Sequence, residues 1–192
     1  IATTAFAVQN VELMSAPQGA EGYDARKETL LNYVVEQADQ RLSDPTVQVA
    51  RYALGRYEEI DEQALADNCD FIDARFDCAD FMMNGLLRLM YMDRQANRLS
   101  PAIKERIKAA VVGFKYWVDE PGDTVMWMDS ENHRMLFHTA EWLAGQLYPT
   151  ETFTNSGLPG LYHATKGRMY LAEWIRQRGH YGFDEFHSNT YM

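Results

Sequence analysis

This chain of 192 residues lacks the features that mark several large classes of protein. It has 2 cysteines, Cys69 and Cys78, which are too few for a disulfide scaffold and form no CxxC pair of the kind that binds zinc. No apolar run approaches the roughly 20 residues that a membrane-spanning helix needs. The two thiols either form one bridge across a short loop or stay free, and the sequence leaves both states open.

The chain also has no excess of basic residues. There are 18 lysines and arginines against 28 acidic residues, which gives a net charge of −10. Binding to nucleic acid needs a basic footprint, so we expect no nucleic-acid partner. Residues 157–180 are a local exception, because four basic side chains stand there against Glu173 alone: Lys166, Arg168, Arg176 and Arg178.

Cofactor and metal motifs are absent from the sequence. No GxGxxG or GxxxxGK loop is present to cradle a phosphate. His133 and His138 lie five residues apart, which misses the i, i+4 spacing of a helical zinc site. No elbow motif supports a Ser-His-Asp triad. We therefore expect neither a cofactor nor a metal.

The hydrophobic pattern predicts an all-α fold. Valine and isoleucine are sparse, no run alternates as a strand does, and apolar residues recur with a helical period. Short polar loops between the helices predict antiparallel helical hairpins in a single domain, 1–192. The predicted helices are 27–43, 47–60, 79–95, 101–118, 132–148 and 160–178, the last of them stopped by Gly179.

The most informative segment is 127–134, which places an acid, an amide, an imidazole and a guanidinium in consecutive positions. Asp129 or Ser130 can cap a helix there, and Glu131 suits the positive end of its dipole. The free N–H groups of that helix, together with Asn132 and His133, predict an anion site.

Two further patterns lie on the helices that follow. Arg134, His138 and Glu141 share one face of an otherwise apolar helix, either as a buried network or as the polar wall of a cleft. Tyr162, His163 and Tyr170 form an aromatic stripe that is either core or binding surface.

Residues 180–191 are dense in aromatic and titratable groups, which is typical of surfaces that bind carbohydrate.

Three segments, 130–133, 141–146 and 182–191, together resemble bacterial α/α-toroid polysaccharide lyases of the alginate lyase and heparinase II/III-like kind. The resemblance covers roughly residues 127–191 and implies that the domain is part of an (α/α) toroid. It implies β-elimination beside a uronate carboxylate, which Asn132 and His133 would neutralise. Tyr191, or Tyr181 in its place, would be the base and acid, and Arg178 or Arg168 would stabilise negative charge. The chain departs from that pattern at Glu131, where such lyases often carry a second asparagine.

Two alternatives to the lyase stay open. The first is a glycoside hydrolase that pairs Glu131 with Asp184 or Glu185. The second is a non-catalytic helical domain that binds glycans or has a structural role. The lyase, the hydrolase and a glycan-binding domain all give a polysaccharide or oligosaccharide as the partner, and a glycan substrate favours a secreted or periplasmic protein. The chain begins without methionine, and we expect it to be a piece of a longer toroid protein. The predicted substrate-binding residues are Trp127, Arg134, His138, Tyr162, His163, Arg168, His187 and Asn189.

Overall fold

Helices make up most of the described part of the chain, residues 20–37 and 45–187 of a computed structural model. In those ranges the helices are α1 (Ala20–Glu36), α2 (Pro45–Ala53), α3 (Glu62–Asp73), α4 (Ala79–Ala96), α5 (Pro101–Gly113), α6 (Glu131–Leu147) and α7 (Gly160–Tyr181). A 3₁₀ turn, Tyr57–Glu59, follows α2, and a short hairpin of β1 (Thr152–Phe153) and β2 (Leu158–Pro159) links α6 to α7. The all-α prediction is confirmed. Within these ranges, no helix combines the length and apolar character that crossing a bilayer requires.

The capping residues predicted for the starts of α5 and α6 are confirmed. The Ser130 hydroxyl accepts a hydrogen bond from the His133 N–H at 3.3 Å, and Ser100 caps α5 with Pro101 at its first position. The predicted ends are less accurate. The chain leaves α5 at Gly113 rather than near Val118, because Tyr116 turns into the core and its hydroxyl donates to the Val111 carbonyl at 2.8 Å.

The end of α7 also differs from the prediction. This helix passes through Gly179 and ends at Tyr181, and Gly182 follows it with a φ of +79°. A left-handed residue is where glycine is favoured at a helix end, so Gly182 supplies the stop predicted at Gly179. Both thiols, Cys69 in the core and Cys78 at the surface, are free.

The core lies around α4 and α6, which run parallel. Asn84 Nδ2 of α4 donates to the Leu136 carbonyl at 3.1 Å, and the Tyr91 hydroxyl donates to the Leu143 carbonyl at 2.9 Å further along both helices. On its other side α6 packs against α7 over most of its length, and the two helices run antiparallel. The largest fully buried side chains include Met83, Leu86, Leu87, Leu89, Tyr116, Phe137 and Phe153.

Gly167 allows the close approach of α7 to α6. A Cβ atom there would lie 2.5 Å from the Trp142 nitrogen and 2.8 Å from the His138 carbonyl oxygen, and both are backbone atoms. We expect Gly167→Ala to lower the free energy of unfolding by about 3 kcal/mol, since the helices must move apart.

The matched control is Gly179→Ala on the same helix, where a Cβ would meet nothing within 4 Å. This variant is expected to be neutral or to gain up to about 1 kcal/mol from helix propensity. Urea denaturation of both variants checks the expectation. Equal stabilities would show that the helices do not meet at Gly167.

Candidate functional site

Two surface cavities between α6 and α7 adjoin each other. The first has a volume of about 470 Å³ and lies between the start of α6, the end of α7 and residues 184–185. The second, of about 210 Å³, lies further along α6 toward Trp117. Both are lined by Arg134, Trp174 and Gln177, so they form one continuous depression, which we call the α6–α7 groove.

One end of the groove is aromatic. The rings of Trp117, His138 and Tyr170 form a cluster, in which the His138 centroid lies 4.3 Å from that of Trp117 and 4.9 Å from that of Tyr170, and the last two are 6.4 Å apart. His138 is 4% exposed, and its Nδ1 is buried without a hydrogen-bond partner in the described part of the chain. Burial, aided by the positive charges of Lys166 and Arg134, lowers the pKa of His138 to about 4. The imidazole is therefore neutral at pH 7.

The other end of the groove is polar and holds Glu131. Its carboxylate pairs with the Arg178 guanidinium and accepts hydrogen bonds from the backbone N–H groups of residues 184, 185 and 186 at 3.3, 3.0 and 3.3 Å. Burial raises the pKa of Glu131, but the Arg178 and backbone donors outweigh it, and the net pKa is lowered. Glu131 thus stays ionised and fastens the segment after α7 to the start of α6.

Further contacts join the same two segments. Glu185 Oε2 accepts a hydrogen bond from the Asn132 N–H at 2.9 Å, and Trp174 Nε1 donates to the Glu131 carbonyl at 3.1 Å. Asn132 Oδ1 accepts from the Ser130 hydroxyl at 2.5 Å. At the rim Arg134 pairs with Asp129. The first helical turn of α6 is consequently fixed by one acceptor, Glu185, and by donors from Trp174, Arg178 and residues 184–186.

His133 lies on a different side of α6 from the groove. Its Nδ1 is 2.7 Å from Asp80 Oδ2 of α4, and the edge of its ring contacts Phe81. Asp80 is fully buried, and burial raises its pKa against the opposing effect of the His133 bond. The pair links α4 to α6, so the structure separates His133 from the Glu131 carboxylate that precedes it by two residues.

The other residues predicted from the sequence are scattered. Trp127 is exposed before α6, Arg168 lines a separate cavity of about 410 Å³, and Tyr162 is exposed at the first turn of α7. His187 is exposed near the end of the described chain, beside Phe183. Tyr191 and Asn189 lie outside the described residues.

The sequence reasoning missed Trp174, Gln177 and Trp117 as groove residues. A signal for the first two was present, since Tyr170, Trp174, Gln177 and Arg178 recur every three or four residues along one face of α7. Trp117 gave no such signal. It lies in the irregular segment after α5, which the sequence analysis predicted to be part of that helix.

A second cluster of polar groups is buried beside the groove. Glu120, Glu141 and His163 bring donor atoms within 4.8 Å of one another, a spacing that a metal ion could bridge. The Lys166 ammonium already supplies a cation there, 3.0 Å from Glu120 Oε1 and 3.2 Å from Glu141 Oε1. The cluster is therefore an internal ion-pair network with its own positive charge.

The resemblance to toroidal lyases rests on the sequence motifs quoted for it. A search of protein families, of curated proteins and of solved structures finds no match to this chain.

Proposed function

We propose that the protein binds neutral oligosaccharide chains in the α6–α7 groove. The observation that carries the proposal is the cluster of the Trp117, His138 and Tyr170 rings beside a polar wall within one depression. Sugars present apolar ring faces edged by hydroxyls, and they suit aromatic surfaces next to carboxylates, amides and guanidinium groups. The buried Nδ1 of His138 adds a polar atom without a partner among the described residues.

The charge of the groove favours a neutral glycan over a uronate. Its lining includes five acidic side chains, Asp129, Glu131, Glu173, Asp184 and Glu185, against two arginines. Arg134 is paired with Asp129 and Arg178 with Glu131. A carboxylate ligand would thus meet net negative charge and no unpaired guanidinium at these two positions.

We also propose that the domain is an arc of an (α/α) toroid, as the sequence resemblance implies. Helix directions support this arrangement. The start of α3 meets the start of α5 through Glu62 and Ser100, and Arg106 contacts Asp70 and Asp73 further along, so these helices run parallel. The α4–α6 pair is parallel as well, and α6 and α7 are antiparallel. Parallel pairs of alternate helices arise when successive hairpins stack side by side.

Binding is tested by titrating a panel of neutral oligosaccharides by calorimetry. Tyr170→Ala removes an exposed ring from the aromatic cluster, and we expect it to weaken the affinity for the best ligand at least about 10-fold. The control is Tyr33→Ala on α1, an exposed tyrosine that does not line the groove, which should bind as the wild type does. Equal affinities in the two variants, or binding confined to uronate chains, would overturn the proposal.

The β-elimination predicted from the sequence is a second candidate, and the Asp80–His133 pair favours it. A carboxylate accepts from Nδ1–H and leaves Nε2 as the basic nitrogen of the ring, which is how a histidine is prepared for proton transfer. Wild type and His133→Ala are compared on uronate polysaccharides by the ultraviolet absorbance of unsaturated product. Product in the wild type alone would support this candidate. Flat traces from both proteins would reject it and leave the binding proposal unaffected, and equal product from both would exclude His133 from the reaction.

A further inference from the structure

A serine, a histidine and a glutamate form a continuous hydrogen-bonded chain where the β1–β2 hairpin meets α6 and α7. The Ser156 hydroxyl is 2.7 Å from His163 Nε2, and His163 Nδ1 is 2.8 Å from Glu141 Oε1. Glu141 and His163 are fully buried, whereas Ser156 is partly exposed. The order is that of a nucleophile, a base and an orienting carboxylate.

Neighbouring groups determine which atoms donate and which accept in these two hydrogen bonds. Glu141 accepts from His163 Nδ1–H, so Nε2 carries the lone pair that accepts the Ser156 proton. The alternative acceptor for that proton, the Phe153 carbonyl, is further away at 3.4 Å. Phe153 also stacks on the His163 ring with a centroid distance of 4.3 Å, which restricts the orientation of the ring.

Two carboxylates and one ammonium are buried around His163. Glu120 Oε1 lies 3.6 Å from Nδ1, on the same side as Glu141. Lys166 neutralises one of these two carboxylates, and its third partner, Asp119, is half-exposed. The two buried carboxylates and the ammonium sum to −1, which the imidazolium formed by taking the Ser156 proton would balance.

We propose that Ser156 is the nucleophile of an acyl-ester hydrolase site that is separate from the α6–α7 groove. Its Oγ forms a bond to the ester carbonyl carbon while its proton passes to His163 Nε2. Cleavage of the ester C–O bond then releases the alcohol, which takes that proton from His163. Water, deprotonated by His163, attacks the acyl-serine, so a carboxylic acid leaves and the Ser156 hydroxyl is restored.

The surroundings of Ser156 indicate the size of the substrate. Ser156 is partly exposed, and the next three residues, Gly157, Leu158 and Pro159, are exposed, so the hairpin presents an open surface here. The Leu158 N–H donates to Ser156 Oγ at 3.1 Å and holds it in place at this turn. Such a surface suits a small acyl ester of an alcohol or phenol.

The proposal is tested with a fluorophosphonate probe and with p-nitrophenyl acetate. In the wild type we expect one covalent adduct, located on Ser156 by mass spectrometry of the digested protein, and ester hydrolysis above the buffer rate. Ser156→Ala should lose the adduct and at least about 100-fold of the hydrolysis rate. Thr154→Ala, which removes an exposed hydroxyl from the same hairpin, should retain both.

Glu141→Gln tests the carboxylate as a positioning residue. It keeps the size of the side chain, and we expect kcat to fall at least about 100-fold with KM within a factor of about 2. If this variant fails to fold, the presence or absence of the adduct on Ser156 of the wild type still tests the proposal. Absence of the adduct in the folded wild type, or an adduct of equal yield on other serines, would overturn the proposal.

Discussion

Replacing Lys166 with methionine is expected to lower the free energy of unfolding at pH 7 by about 3–5 kcal/mol, since it strands buried carboxylates without their cation. The Lys166 ammonium is 8% exposed and contacts Glu120 and Glu141, both of which are almost fully buried. Methionine fills much of the same volume, so the loss in the free energy of unfolding comes from the missing charge and not from a new cavity. Urea denaturation measures it.

The matched control is Lys108→Met. Lys108 pairs with Glu151 at 2.8 Å, but both side chains are substantially exposed, and such pairs contribute about 0–1 kcal/mol. The pH dependence gives a second check. Burial raises the pKa of Glu141, and removal of Lys166 should raise it further, so the carboxyl becomes neutral more readily as the pH falls. The loss of stability that Lys166→Met causes should therefore become smaller as the pH falls. A deficit equal to that of Lys108→Met would contradict the role of the network.

Features that depend on neighbours in sequence were predictable. Ser130 and Ser100 cap their helices because a hydroxyl can reach an N–H three residues ahead whatever the rest of the fold does. The helical periodicity likewise predicted the all-α fold. The irregular segment after α5 was not predictable in this way, because its residues leave the helix for distant contacts such as those of the Tyr116 ring with Phe153 and His163.

The face of Arg134, His138 and Glu141 shows why the site was only partly predictable. The sequence left a buried network and a cleft as alternatives, and the structure contains both. Glu141 meets His163 and Lys166 in the buried cluster, while Arg134 and His138 line the groove. Spacing along one helix cannot tell which neighbour each turn will meet, since that depends on how α7 crosses it. The chain from Ser156 to Glu141 was missed for the same reason, because it needs the β1–β2 hairpin.

Removing the carboxylate of Glu131 is expected to release the segment after α7 from the rest of the protein. Glu131→Ala leaves the Arg178 guanidinium and the N–H groups of residues 184, 185 and 186 without their acceptor. We expect a loss of about 2–3 kcal/mol in the free energy of unfolding. Amide hydrogen exchange over 182–187 should quicken by about 10-fold or more, and mass spectrometry of peptic peptides measures it.

Glu173→Ala is the control for this variant. Glu173 is an exposed carboxylate on α7 that pairs with Arg176, and its removal should leave exchange over 182–187 unchanged. The pH dependence has a definite sign. Because the folded-state pKa of Glu131 is lowered, its contribution is complete above the usual value of 4.5 and is lost as the pH falls through the folded-state pKa.

A further variant, Glu131→Gln, separates a structural Glu131 from a catalytic one. If Glu131 fastens the 182–187 segment, Glu131→Gln should keep part of the stability, because its amide oxygen still accepts from some of the donors. Oligosaccharide affinity should then follow the exchange rate of 182–187, since Asp184 and Glu185 line the groove. If Glu131 were instead half of a glycosidase pair, Glu131→Gln would abolish turnover while stability and exchange stayed at wild-type values. The four donors around the carboxylate favour the first result, because a group held ionised by so many hydrogen bonds is a poor general acid.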